Sequence, residues 1–81
     1  MDDKQIREAI FSVLNGIAPE LEPAAIEPDR PLRDQVDLDS MDFLNFILGL
    51  HKKLGVDIPE ADYRKLFTLD EITAYLRGRL S

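Results

Sequence analysis

Residues 36–44 read "VDLDSMDFL", and the stretch that follows, "NFILGLHKKLG" at 45–55, continues them as one amphipathic helix. A serine flanked by Asp37, Asp39 and Asp42 stands at its mouth. Asp39 or Ser40 suits the N-cap, because either side chain accepts from backbone N–H groups of the first turn, and Asp42 adds negative charge where the helix dipole favours it. The spacing predicts a helix from about Ser40 to Leu54, stopped by Gly55. At about 100° per residue, Phe43, Phe46, Ile47, Leu50 and Leu54 share one stripe of the width a core needs. Ser40, Met41, Leu44, Leu48 and His51 fill the adjoining arc. This second apolar strip either packs beneath a neighbouring segment or stays exposed as a docking surface beside the hydroxyl. Gly49, in the middle of the helix, costs about 1 kcal/mol relative to alanine and implies a close contact or a locally softer helix.

Periodicity on either side predicts two more long helices and one short one. The first covers about Asp3 to Asn15, with Ile6, Ile10, Val13 and Leu14 on one stripe and Gly16 as its stop. After "GVDIP" a short turn of helix is expected over Glu60 to Lys65, with Pro59 suited to its first turn. The last helix opens at "TLDE", where Thr68 and Glu71 have capping-box spacing, and continues through Ile72, Tyr75, Leu76 and Leu80. No strand pattern competes. Between the first two long helices runs "GIAPELEPAAIEPDRPLRDQVDL", rich in proline and acid. Its Leu21, Ile26, Leu32 and Val36 are spaced to pin it across a bundle as an ordered crossover. The expected fold is all-α: three main helices, one short helix and a long crossover, in a single domain over residues 1–81.

Composition narrows the chemistry. With 81 residues the chain supports one core, and it has no cysteine, so neither disulfides nor thiolate metal sites hold it together. A net charge of −6 disfavours nucleic acid as a partner. That charge resides in residues 20–42, where eight acids face only Arg30 and Arg33. Such acidity converging on Ser40 steers a basic partner towards it. "MDDKQIREAI" lacks a basic leader followed by an apolar stretch, and no segment has the length to span a membrane, so the expected location is the cytoplasm.

Ser40 is not placed for nucleophilic catalysis, because the only histidine, His51, lies about 16 Å farther along the same helix. A calcium loop starting at Asp37 fails as well: Met41 holds the fifth position, Asp42 the turn position and Leu48 the last. Lys52 and Lys53 fit charge compensation at a helix end. What remains is a serine that is acted upon.

"DLDSM" at 37–41, the helix it opens, "LGVDIPE" at 54–60 and "TLDEI" at 68–72 together resemble an acyl carrier protein, over nearly the whole chain. The resemblance implies a small four-helix bundle that is a carrier rather than an enzyme, acting as a monomer. It further implies that Ser40 receives 4′-phosphopantetheine from coenzyme A through a magnesium-dependent phosphopantetheinyl transferase. Asp39 would be a recognition residue for that transferase. The arm's thiol, which a cysteine-free chain must borrow, would hold acyl groups as thioesters for separate ligases, synthases or acyltransferases, as in fatty-acid biosynthesis or polyketide assembly. Met41, Asp42, Leu44, Leu48 and His51 would meet those partners. Fatty-acid carriers usually bear a string of glutamates on this helix, whereas here Asn45, Gly49, His51, Lys52 and Lys53 stand on the corresponding face. A specialised carrier with its own ligase or synthase is therefore expected. Two other readings stay open: an aminoacyl, peptidyl or D-alanyl carrier, and an unmodified acidic interaction module.

Overall fold

The capping pair at the amino terminus starts the first helix. In a computed structural model, which describes residues 1–80, the Asp2 carboxylate accepts from the Gln5 amide at 2.8 Å while the Gln5 side chain accepts from the Asp2 amide. Helix α1 (Asp3–Ile17) buries Ile6, Ala9, Ile10 and Leu14 along one stripe. It does not stop at Gly16. The helix runs through that glycine, and the Ala18 amide closes it by donating to the Leu14 carbonyl at 2.7 Å. Buried Ala18 makes the end favourable without a left-handed glycine.

The crossover is ordered by its own hydrogen bonds. It contains a 3₁₀ turn (Pro23–Ala25) and a short helix α2 (Leu32–Gln35), neither of which the periodicity indicated. The Gln35 side chain accepts from the Glu27 amide and donates to the carbonyls of Glu27 and Arg30, folding the middle of the segment onto itself. Two backbone bonds then tie it to the far end of the chain: Leu32 N–H to the Phe67 carbonyl at 2.7 Å, and Asp70 N–H to the Pro28 carbonyl at 3.0 Å. Leu32 and Val36 are buried and Leu21 and Ile26 half-buried, as a pinned crossover requires, and Leu38 joins them in the core.

Helix α3 (Ser40–Leu54) lies across α1 and ends where Gly55, at φ +68°, takes the left-handed conformation and donates to the His51 carbonyl. Phe46, Ile47 and Leu50 are buried; Phe43 and Leu54 are only half-buried, because they sit at the ends of the contact with the core. The segment Glu60–Lys65 is a 3₁₀ helix, and Pro59 precedes it as the cap rather than entering its first turn. Helix α4 (Leu69–Leu80) opens on the expected capping box, with Thr68 Oγ1 accepting from Glu71 N–H and the Glu71 carboxylate accepting from Thr68 N–H, both at 3.0 Å. It seals the core with Leu69, Ile72 and Leu76, while buried Thr73 turns its hydroxyl back to the Leu69 carbonyl. Apolar side chains buried this completely contribute on the order of 1.5–3 kcal/mol each.

Candidate functional site: the head of helix α3

The cap of α3 is Asp39. Its carboxylate accepts from the Asp42 amide at 2.8 Å, and the Asp42 carboxylate in turn accepts from the Asp39 amide at 3.4 Å. This reciprocal pair closes the alternative in which Ser40 is the cap, and it gives Asp42 a local structural task in addition to any partner it meets. Ser40 is left as the first residue inside the helix, exposed, and its hydroxyl has no hydrogen-bond partner among the described residues. The amides of Ser40 and Met41 likewise find no acceptor there. An exposed hydroxyl beside unpaired amides at a helix N-terminus fits a phosphodiester, since the donors and the dipole both favour the anion.

Below Ser40 the two faces of α3 separate. Ile47 is 3% exposed, whereas Met41, Leu44 and Leu48 are 64%, 38% and 48% exposed. Leu44 and Leu48 therefore do not pack beneath the crossover. His51 continues the strip, yet its ring is tethered: Nδ1 lies 3.0 Å from the Val56 carbonyl and 3.4 Å from an Asp57 carboxylate oxygen. These contacts link the foot of α3 to the loop leading to the 3₁₀ helix. With Ile58 and Tyr63, Leu48 and His51 line a shallow groove of about 400 Å³.

Beside Ser40 the structure places Arg33, Glu60 and Tyr63, which the sequence did not assign to the site. A cleft of about 360 Å³ is lined by Arg33, Ser40, Phe43, Leu44, Glu60 and Tyr63. Phe43 meets Tyr63 edge to face with ring centroids 6.0 Å apart, and the Arg33 guanidinium lies 5.7 Å from the Phe43 centroid. Arg33 Nε also donates to the Leu38 carbonyl at 3.1 Å, which fixes the base of the side chain. Arg33 comes from α2, Phe43 from α3, and Glu60 and Tyr63 from the 3₁₀ helix, so no local pattern joins them.

Comparison with known proteins places the same serine-led helix in context. Residues 4–76 match the model of a family described as phosphopantetheine attachment site. The chain is 27% identical to the acyl carrier proteins of Renibacterium salmoninarum and Thermotoga maritima, in each case over 77 residues. These alignments cover 91% of this chain and 90% and 95% of the relatives. It is also 32% identical over 57 residues to the meromycolate extension acyl carrier protein of Mycobacterium tuberculosis, covering 70% of this chain and 50% of that one.

Proposed function

The chain belongs to the phosphopantetheine attachment family, and we propose that it is an acyl carrier whose arm is joined to Ser40. The carrying observation is the exposed Ser40 hydroxyl, first in α3 and without a protein partner among the described residues. On modification Ser40 Oγ forms a bond to phosphorus as the pyrophosphate bond of coenzyme A breaks and adenosine 3′,5′-bisphosphate leaves. The hydroxyl proton passes to a base on the transferase, since His51 is held at the far end of α3 by Val56 and Asp57. The prosthetic group supplies a thiol that holds an acyl group as a thioester.

The chain's own residues do the rest. Asp39 keeps the helix start rigid while presenting a carboxylate to the transferase beside the hydroxyl. The unpaired amides of Ser40 and Met41 would be the donors available to the phosphodiester, and the exposed strip of Met41, Leu44 and Leu48 gives partner enzymes a desolvated contact with nearby charges to select among them. Phosphopantetheinyl transferase and acyl-handling ligases, synthases or acyltransferases are those partners, and the chain acts as their substrate and shuttle. Specialisation is supported by the absence of a glutamate string on α3 and by likeness to a meromycolate extension carrier. The working place is the cytoplasm; no helix among the described residues is long and apolar enough to cross a membrane.

Loading tests the carrier role. Incubation with hexanoyl-coenzyme A, magnesium and a broad transferase is expected to add a hexanoyl-phosphopantetheine unit, from which hydroxylamine removes the hexanoyl group and leaves the arm. Retention of the acyl group under hydroxylamine would contradict thioester carriage.

A further inference from the structure

The arginines divide into two groups. Of the six in the chain, Arg7, Arg30, Arg77 and Arg79 each pair with a carboxylate, at 2.6 to 2.9 Å. Arg33 and Arg64 pair with none among the described residues, although acids outnumber bases sixteen to ten. Both line the same place. The cleft that Arg33 shares with Ser40 continues, through Phe43, Glu60 and Tyr63, into a second space of about 360 Å³ that adds Arg64 and Phe67. Phe67 is 54% exposed there, and its backbone is fixed by the bond from Leu32 N–H to its carbonyl.

Two guanidiniums left unpaired in an acidic protein, along a cleft walled by three aromatic rings, make a receptor for an oxyanion. Arginine suits this role because its planar fork presents paired donors while the group can lie over an aromatic ring, as Arg33 lies over Phe43. Neither charge meets a carboxylate of the fold: Arg33 engages only its Nε, on the Leu38 carbonyl, and it is Lys65 rather than Arg64 that pairs with Asp62. Glu60 lines the same cleft and joins neither arginine, so the one acid lining it among the described residues leaves both guanidiniums without a carboxylate. The opening at Ser40 indicates what enters.

We propose that this cleft seats the arm tethered at Ser40 and that Arg33 and Arg64 grip an oxyanion carried on it, either the phosphodiester or a carboxylate at the end of the cargo. The inference rests on attachment at Ser40 and adds the class of group the carrier holds. Arg33 shares a wall with Ser40, and Arg64 lines the part of the cleft that lies beyond it.

The test loads the full chain through a broad transferase with coenzyme A, hexanoyl-coenzyme A or adipoyl-coenzyme A, and follows the Nε–H signals of Arg33 and Arg64 by NMR, assigned with Arg33→Lys and Arg64→Lys. Intact mass monitors loading separately. Signals that move on adding the bare arm identify the phosphodiester as the anion; signals that move only with adipoyl identify the carboxylate. Either result supports the seat. For adipoyl, hydroxylamine cleavage is expected to be about two- to fivefold faster in Arg64→Gln than in the wild type if the carboxylate is held, the range a solvent-exposed ion pair supplies. Glu60→Gln should slow it further. Full loading with neither signal moved in any form, or hexanoyl moving both as far as adipoyl does while the bare arm moves neither, overturns the proposal. No gain in mass overturns attachment at Ser40, and the seat with it.

Discussion

A methyl group at Gly49 would collide with the neighbouring helix. A Cβ built there meets Val13 Cγ1 of α1 at 2.5 Å, well inside contact distance, and a β-branched side chain in a helix has little freedom to turn away. Gly49→Ala gains about 1 kcal/mol in helix propensity but overpacks a close crossing, which typically costs about 1–3 kcal/mol. A net loss of about 1 kcal/mol is expected in urea unfolding, reversed when Val13→Ala is added. A stabilised Gly49→Ala would show that α1 and α3 do not approach this closely. The sequence left two explanations for this glycine because the answer lies in the α1 crossing, which periodicity does not locate. The cap of α3 has the same origin: Asp39 and Ser40 are both good caps by type, and the reciprocal bonds between Asp39 and Asp42 decide it.

Helix α3 and the 3₁₀ helix carry the next tests. Because Ile47 is buried and Leu48 nearly half exposed, Ile47→Glu should abolish the cooperative melt, whereas Leu48→Glu should shift Tm by only a few degrees and weaken loading by a cognate ligase. Equal damage from both would mean that the strip is core. The 3₁₀ helix is fastened to α4 at Asp62, whose carboxylate accepts from the Tyr75 hydroxyl at 2.6 Å and from Arg79 at 2.9 Å. The Tyr75 hydrogen bond, helped by Lys65 and Arg79 and opposed by partial desolvation, holds the Asp62 carboxyl below its usual range. A depressed carboxylate pKa adds stability that is complete above the unfolded value, about 3.9, and is lost as pH falls through the lower folded value. Asp62→Asn should therefore be less stable than wild type at pH 7, with the gap closing in thermal melts as pH falls below about 4. A gap independent of pH would contradict this. Periodicity found this turn but not its fastening, since Asp62 and Tyr75 meet only through tertiary packing.

For the whole molecule, what could be read in advance was what local patterns encode: three long helices, the capping box at Thr68, the stop at Gly55 and the serine at the head of α3. The end of α1 was misplaced because Gly16 sits within the helix, which closes at Ala18. The turns inside the crossover escaped because Pro23–Ala25 and Leu32–Gln35 are too short for periodicity to register, and the bonds that tie the segment to Phe67 and Asp70 join residues distant in sequence. The cleft beside Ser40 was missed for the same reason, its walls coming from α2, α3 and the 3₁₀ helix. The result at the head of α3 is an exposed hydroxyl beside a helix cap closed by Asp39 and Asp42. The most direct measurement of the central claim is the intact mass of the protein after incubation with coenzyme A, magnesium and a broad transferase, with the modified peptide then sequenced. A gain of one phosphopantetheine unit, on Ser40, with none in a Ser40→Ala variant that keeps its helical circular dichroism, is the expected result. An unchanged mass, or modification that persists in Ser40→Ala, would contradict it.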